Sequence, residues 1–170
     1  MRVFRLIATP VLLLGLLGFL AWGASWGWQN LTAPAPSPPP TPCVNQSLNA
    51  VTASNVSVRV FNGGFQAGLA TRVGEALKAA GFHVIRITNT EERINTTTIR
   101  TGDNNVEAGT LVGSYLNEPT AETDTRVDGT VDVLVGSDFK GLTDAGLPEV
   151  AVESGTICLY PITEPSAQPS

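Results

Sequence analysis

The most apolar stretch of the chain is an uncharged run over Leu6–Trp28. As a helix that rises about 1.5 Å per residue, this run spans about 35 Å, which is enough to cross a bilayer with some tilt. Arg2 and Arg5 precede it, and no basic residue follows until Arg59. Because positive charge favours the cytoplasmic side, the pattern predicts a single transmembrane helix, a cytoplasmic N-terminus at 1–5 and an extracytoplasmic remainder.

A cleaved signal peptide shares the charged start and the apolar core, so it is the alternative to a retained anchor. An A-x-A-like motif at 33–35 is followed by Pro36, which is expected to block cleavage, and we therefore favour the anchor. Residues 29–42 contain six prolines and predict an extended linker that holds a folded domain, residues 43–163, away from the membrane. The polar residues 164–170 are predicted to form a disordered tail.

Within the predicted domain, the spacing of apolar residues changes between the period of strands and that of helices. Residues 56–61 alternate apolar and polar positions, as a strand does. The apolar residues of 69–80 then recur at helical spacing, and Gly81 is a natural end for that helix. A strand followed closely by an amphipathic helix is the beginning of a mixed α/β pattern.

The same criteria predict the remaining elements: strands at 82–87, 96–100 and 131–135, a second helix from Asn104 with Glu107 completing a capping box, and edge strands at 150–152 and 156–159. The order β-α-β-β-α-β is typical of an α/β fold of the α+β type. We expect a two-layer sandwich with two helices on one face of a sheet and extra C-terminal strands.

Cys43 and Cys158 are the only cysteines, and they lie near the two ends of the predicted domain. An oxidising extracytoplasmic space favours a disulfide between them. Free thiols or a catalytic pair are the alternatives, but a redox role usually needs a C-x-x-C spacing, which is absent here. We therefore predict a structural bridge.

The charge distribution limits the classes of function. After residue 42 the chain has eight basic and fifteen acidic residues, which argues against binding to nucleic acid. With two cysteines and His83 as the single histidine, a cysteine-based or multi-histidine metal site is not expected, and no cofactor is predicted. Four acidic residues could be considered as metal ligands: Asp124, Asp128, Asp132 and Asp138. Their spacing is not that of a calcium-binding loop, so we interpret them as outward-facing strand and turn residues.

Asn62, Gly63 and Gly64 lie where the first predicted strand turns into the first helix. The glycine spacing that ends at Gly68 differs from the G-x-G-x-x-G dinucleotide fingerprint, so a tight turn is the better interpretation. This turn is nonetheless the first candidate for a contact surface with a ligand or partner. No catalytic residue is predicted from the sequence.

Arg72 and Arg100 are basic candidates for the same contact surface, because they stand out on an acidic domain. The alternative is that both arginines are solvated on a helix face and a strand edge. An enzyme of wall-polymer metabolism would have to use acids such as Asp124 and Asp128, yet the sequence indicates no paired carboxylates in a cleft.

The sequence resembles the LytR C-terminal domain family. The resemblance rests on VRVFNGG at 58–64, GLATRVGEALKAAGFHVIRITNT at 68–90, Thr97–Arg100, and VDVLVGSDF at 131–139. In many relatives this domain follows a LytR-CpsA-Psr phosphotransferase domain, which attaches polymers to peptidoglycan and which we expect this chain to lack. Residues 142–160 are absent from many relatives and have no role implied by the resemblance.

The combination of one anchor, a proline-rich linker, one such domain and two cysteines is similar to actinobacterial proteins that maintain envelope integrity. The resemblance implies a non-enzymatic protein of the cell membrane that binds a cell-wall polymer or another envelope protein. The alternatives are an accessory or regulatory subunit of a LytR-CpsA-Psr wall-polymer ligase and, third, a wall-polymer enzyme. Neither the oligomeric state nor the ligand follows from the residues.

Overall fold

The computed structural model describes residues 2–32, 42–143 and 145–162, which belong to two compact units. The first unit contains helix α1, Arg2–Thr32, whose segment Val11–Trp28 has a mean hydropathy of 1.6 and is long and apolar enough to span a membrane. Helix α1 extends four residues into the segment predicted as a linker. The rest of that linker, at 33–41, and the predicted tail lie outside the described residues.

The second unit is a mixed α/β domain, and its elements in chain order are β1 Val44–Gln46, β2 Ala50–Thr52, β3 Ser57–Asn62, α2 Leu69–Ala79, β4 His83–Asn89, β5 Thr98–Gly102, α3 Val106–Gly113, β6 Thr120–Asp124, β7 Val131–Val135, β8 Glu149–Ala151 and β9 Ile157–Leu159. Five of these strands form one sheet in the order β4-β3-β7-β5-β6. Strands β4, β3 and β7 are parallel, β5 runs antiparallel to β7, and β6 is parallel to β5. The predicted fold class is confirmed.

One face of this sheet carries the core, and both α2 and α3 pack on it. Val58 and Val60 of β3 and Val133 of β7 are fully buried on this face because strand residues two apart point to the same side. Helix α2 contributes Leu69, Val73 and Leu77, which the helical period places in one stripe. The result is the predicted two-layer sandwich.

Two features of the sheet structure differ from the sequence-based expectation. Strand β6 was not predicted, because its sequence TAETD is polar and exposed at the edge of the sheet. The predicted edge strands exist as β8 and β9, but they pair with β2 and β1 in two separate ribbons. Both pairings join segments about 100 residues apart, and no local pattern reveals such partners.

The predicted capping box at the start of the second helix is wrong. Helix α3 begins at Val106, and its N-cap is Asn105, whose side chain makes no capping hydrogen bond. The carbonyl oxygen of Asn104 instead accepts a hydrogen bond of 3.2 Å from the backbone N–H of Cys158, which holds Asn104 outside the helix. Glu107 therefore lies one position too early to complete a box.

The disulfide between Cys43 and Cys158 is confirmed, with a Cα–Cα distance of 5.4 Å and a sequence separation of 115. It links the two strands of the β1–β9 ribbon. The Cys43 N–H donates a hydrogen bond of 2.7 Å to the carbonyl of Val127, and the Tyr160 N–H donates one of 3.3 Å to the carbonyl of Gly129. Gly129 has φ +67°, and a Cβ on it would lie 2.7 Å from Cys43 Cβ, so only glycine allows this close docking.

We expect the double variant Cys43→Ser/Cys158→Ser to lose much of the domain's stability. In the chain-entropy model, closing a loop of this length stabilises the folded state by about 4–5 kcal/mol. Urea unfolding of the domain, followed by circular dichroism, measures the effect. Wild-type protein in reducing buffer should show the same lowered midpoint, and an unchanged midpoint in the double variant would contradict a stabilising role.

Candidate functional site

The candidate site lies at the carboxyl ends of the parallel strands β3, β4 and β7, where ligands bind in open α/β sheets. The chain crosses this edge between β4 and β5, and backbone hydrogen bonds tie the crossing segment to both neighbouring turns. The Gly63 N–H donates to Val135 at 3.0 Å, the Ile94 N–H to Gly63 at 3.1 Å, and the Ser137 N–H to Ile94 at 3.0 Å. The turns at this edge therefore hold one another in place.

Asn62 shapes the loop between β3 and α2. Its side-chain Oδ1 accepts a hydrogen bond from the Gly64 N–H at 3.3 Å, and its Nδ2 donates to the carbonyl of Gln66 at 3.0 Å. A Cβ on Gly63 would lie 2.7 Å from Ile94 Cβ, and one on Gly64 would lie 3.1 Å from the Gly136 carbonyl carbon. Close packing therefore requires a glycine at position 63, and at position 64 a side chain would fit only if the neighbouring backbone shifted.

Phe65, at the apex of this loop, was not singled out by the sequence. Its side chain is 81% exposed, which is the highest value among the large hydrophobic residues of the domain that the structure describes. The guanidinium carbon of Arg93 lies 4.7 Å from the ring centroid, a cation–π contact that covers one face of the ring. The sequence could have indicated Phe65, because an aromatic residue directly follows Asn-Gly-Gly. It could not have indicated the contact with Arg93, which lies 28 positions away in the chain.

A pocket of about 320 Å³ opens beside this loop, between the start of α2 and the end of β4. The residues that line it are all uncharged: Asn62, Gly68, Ala70, Thr71, Ile87, Thr88 and Asn89. We call this cavity the polar pocket. Its two amides and two hydroxyls can both donate and accept hydrogen bonds, which suits a neutral ligand rich in hydroxyl or amide groups.

The two arginines predicted for the contact surface lie in different places. Arg72 follows the pocket residue Thr71 and is exposed on the first part of α2. Arg100 points to the sheet face opposite the helices, where it pairs with Glu92 at 3.0 Å and with Glu122 at 3.1 Å. Hydrogen bonding from Arg100 lowers the pKa of Glu92 and, reciprocally, raises the pKa of Arg100. The structure therefore does not bring Arg100 together with Asn62.

The same open face of the sheet carries a network of paired charges. Arg59 Nε donates to Asp132 Oδ1 at 2.6 Å, and Arg59 Nη1 lies 3.0 Å from Asp128 Oδ2. Arg126 bridges Asp132, at 2.8 Å, and Asp124, at 2.6 Å. Asp128 and Asp132 are 7% and 8% exposed, so the expectation that these acids simply face solvent is wrong. They are buried because two arginines from other strands and loops neutralise them.

This network affects what the acids can do chemically. Hydrogen bonds from the Arg126 side chain hold the pKa of Asp124 below its usual value, so this carboxyl stays ionised at neutral pH. An ionised, ion-paired carboxylate is poorly suited to act as a general acid. In the part of the chain that the structure describes, no three His, Cys, Asp or Glu residues are grouped so that they could hold a metal ion.

Comparison with known proteins relates the domain to one family. Residues 55–139, half of the chain, match the family described as LytR cell envelope-related transcriptional attenuator. None of the curated proteins matches the chain significantly. Among solved structures, the chain is similar to the soluble domain of a conserved hypothetical secreted protein from Mycobacterium marinum, at 26% sequence identity and a TM-score of 0.47. That similarity covers 55% of this chain and 67% of the other.

We expect Asp132→Asn to lower the free energy of unfolding by about 3 kcal/mol, because it leaves Arg59 and Arg126 without their shared buried carboxylate. Asp138→Asn is the matched control: its pair with Lys140 is exposed, and its loss should cost about 0.5 kcal/mol or less. Urea unfolding of both variants measures the difference. Equal effects in the two variants would show that burial of the network does not matter.

The Asp124–Arg126 pair also predicts a pH dependence. The pKa of Asp124 is lowered on folding, so its stabilisation is fully present above the unfolded-state pKa of about 4 and is lost as the pH falls through the lower folded value. The side chain is 37% exposed, so solvent screening keeps the effect small. The stability difference between wild type and Asp124→Asn should be constant above about pH 5 and shrink below about pH 4. A difference that does not change with pH would contradict this assignment.

Proposed function

Because the chain belongs to the LytR C-terminal domain family, we propose that it is a non-enzymatic, membrane-anchored protein that contributes to the integrity of the cell envelope. In this proposal the domain binds a wall polymer or another envelope protein. The observation that carries the proposal is the combination of a family domain closed by a disulfide with an apolar helix that precedes it.

Two independent features of the chain support the proposed topology. Arg2 and Arg5 lie before the apolar segment, and no basic residue follows it until Arg59, which favours a cytoplasmic N-terminus. The Cys43–Cys158 bridge favours an oxidising compartment for the domain, because disulfides rarely persist in the cytosol. Both features support a single-pass protein of the cell membrane with its domain outside.

The layout of an anchor, a linker, one family domain and a cysteine near each end of that domain resembles the actinobacterial envelope-integrity protein Cei, and this resemblance supports the proposal. Binding without catalysis is supported by the chemistry of the acids that an enzyme would use. Asp124 and Asp128 each lie in an ion pair with an arginine, at 2.6 Å and 3.0 Å. We assign the contact surface to the carboxyl edge of the sheet, with Asn62, the two glycines that follow it and Arg72.

The experiment is a deletion strain that is tested for dye uptake and detergent sensitivity. We expect the strain to be leakier than its parent and to be rescued by the wild-type gene. A gene in which a cleavable signal peptide replaces residues 1–32 should rescue less well, because the domain would no longer be held at the membrane. Cys43→Ser/Cys158→Ser should also rescue poorly, because it weakens the fold.

A deletion strain with normal permeability would contradict the proposal. Co-purification from solubilised membranes would then test the alternative, in which the chain is an accessory subunit of a LytR-CpsA-Psr wall-polymer ligase. Equal amounts of each variant in the membrane or periplasmic fraction, measured by immunoblot, are the control for expression.

A further inference from the structure

The loop between β3 and α2 presents an aromatic surface that the fold of the domain does not use. Phe65 is 81% exposed, whereas the core phenylalanine Phe82 is 4% exposed and packs edge-on against Tyr115. Exposing an aromatic ring forgoes the favourable free energy that burial of its apolar surface would contribute. An exposed aromatic ring on a well-ordered loop is therefore a candidate binding element.

The ring of Phe65 is held in a defined orientation. Arg93 lies against one face at 4.7 Å, and the Asn62 side chain fixes the loop on both sides of the ring through Gly64 and Gln66. The second face of the ring remains open. A ligand that stacks there meets a surface that is already ordered, so binding costs less conformational entropy.

The polar pocket lies beside the loop that carries this ring and shares Asn62 with that loop. Its side chains Asn62, Thr71, Thr88 and Asn89 offer hydrogen-bond donors and acceptors and carry no charge. A flat apolar face beside a set of neutral polar groups matches the two surfaces of a pyranose ring: C–H groups on its face and hydroxyls around its rim. A peptide would not require that combination, and a polyanion would require charged groups in the pocket.

We propose that this edge of the domain is a carbohydrate-binding site, in which a pyranose of a wall polysaccharide stacks on the open face of Phe65. Hydroxyl or acetamido groups of the same or the adjacent sugar bind in the polar pocket. This inference rests on the proposed function and names the class of ligand for its contact surface. The ligand chemistry is shared by peptidoglycan glycan strands and by other wall polysaccharides, and the experiment separates the two.

The test uses the full chain in lipid nanodiscs. Its binding is measured by titration with three probes: peptidoglycan strands stripped of stem peptides by an amidase, a secondary wall polysaccharide released from the same walls, and the released stem peptides. We expect binding to at least one of the two polysaccharides and none to the stem peptides. Binding to the stem peptides alone would overturn the proposal in favour of a peptide ligand.

Variants of the chain test the assigned residues. Phe65→Ala should weaken polysaccharide binding by about tenfold or more, whereas Phe65→Trp should retain it because the indole also stacks. Asn89→Ala should weaken binding about three- to tenfold through the pocket, since Asn89 is exposed and lines it. Ile85→Ala is the matched control, because Ile85 is 46% exposed on β4 and lies away from the loop. Unchanged binding by Phe65→Ala, with an unfolding midpoint equal to wild type, would overturn the proposal.

The same variants in the deletion strain separate this inference from the proposed function. If the strain leaks and Phe65→Ala rescues it fully, the envelope role stands and carbohydrate recognition by Phe65 is not what provides it. Such a result overturns the inference as the basis of the function. If Phe65→Trp rescues the strain and Phe65→Ala does not, at equal protein levels, both proposals are supported.

Discussion

The parallel pairing of β3 with β7 is the interaction on which the rest of the domain depends. It joins residues about 73 positions apart. Along each of the two strands, successive side chains point to opposite faces of the sheet. On one face Val60 lies beside Val133 in the core, and on the other Arg59 binds Asp132. The pairing ends where Gly63 bonds to Val135, which is also where the candidate site begins. The core, the charge network and the candidate site therefore all depend on the register in which β3 pairs with β7.

The disulfide-linked ribbon secures the opposite end of the same strand pair. It docks on residues 127–129, directly before β7, through backbone hydrogen bonds and the close approach that Gly129 permits. The cross-link constrains the unfolded chain, whereas the docking constrains the folded one. With the topology proposed above, the domain lies outside the cell, away from chaperones and reducing agents, and benefits from both. The ribbon also gives a structural role to the C-terminal segment that contains β9, which lies beyond the residues that match the family.

Several charges on the open face of the sheet are held in ion pairs with one another. Arg59 and Arg126 pair with three aspartates on the open sheet face, and Arg100 pairs with two glutamates. This face therefore keeps part of the chain's negative charge, but its carboxylates are held in ion pairs. The carboxyl edge of the sheet differs from this charged face, because it has an uncharged pocket and the exposed ring of Phe65.

The sequence by itself determined the features that depend on neighbouring residues: the apolar helix, both domain helices, the β3 and β7 strands and, through elimination, the disulfide. It also indicated Asn62 and its glycines, because a strand that turns into a helix has a local signature. Only the tertiary structure decided that β6 forms the edge of the sheet, that β8 and β9 form ribbons with β2 and β1, and that Asp128 and Asp132 are buried. It also decided that Arg93 stacks on Phe65. Each of these depends on partners distant in sequence, and hydrophobic periodicity specifies which face of an element is buried but not what covers it.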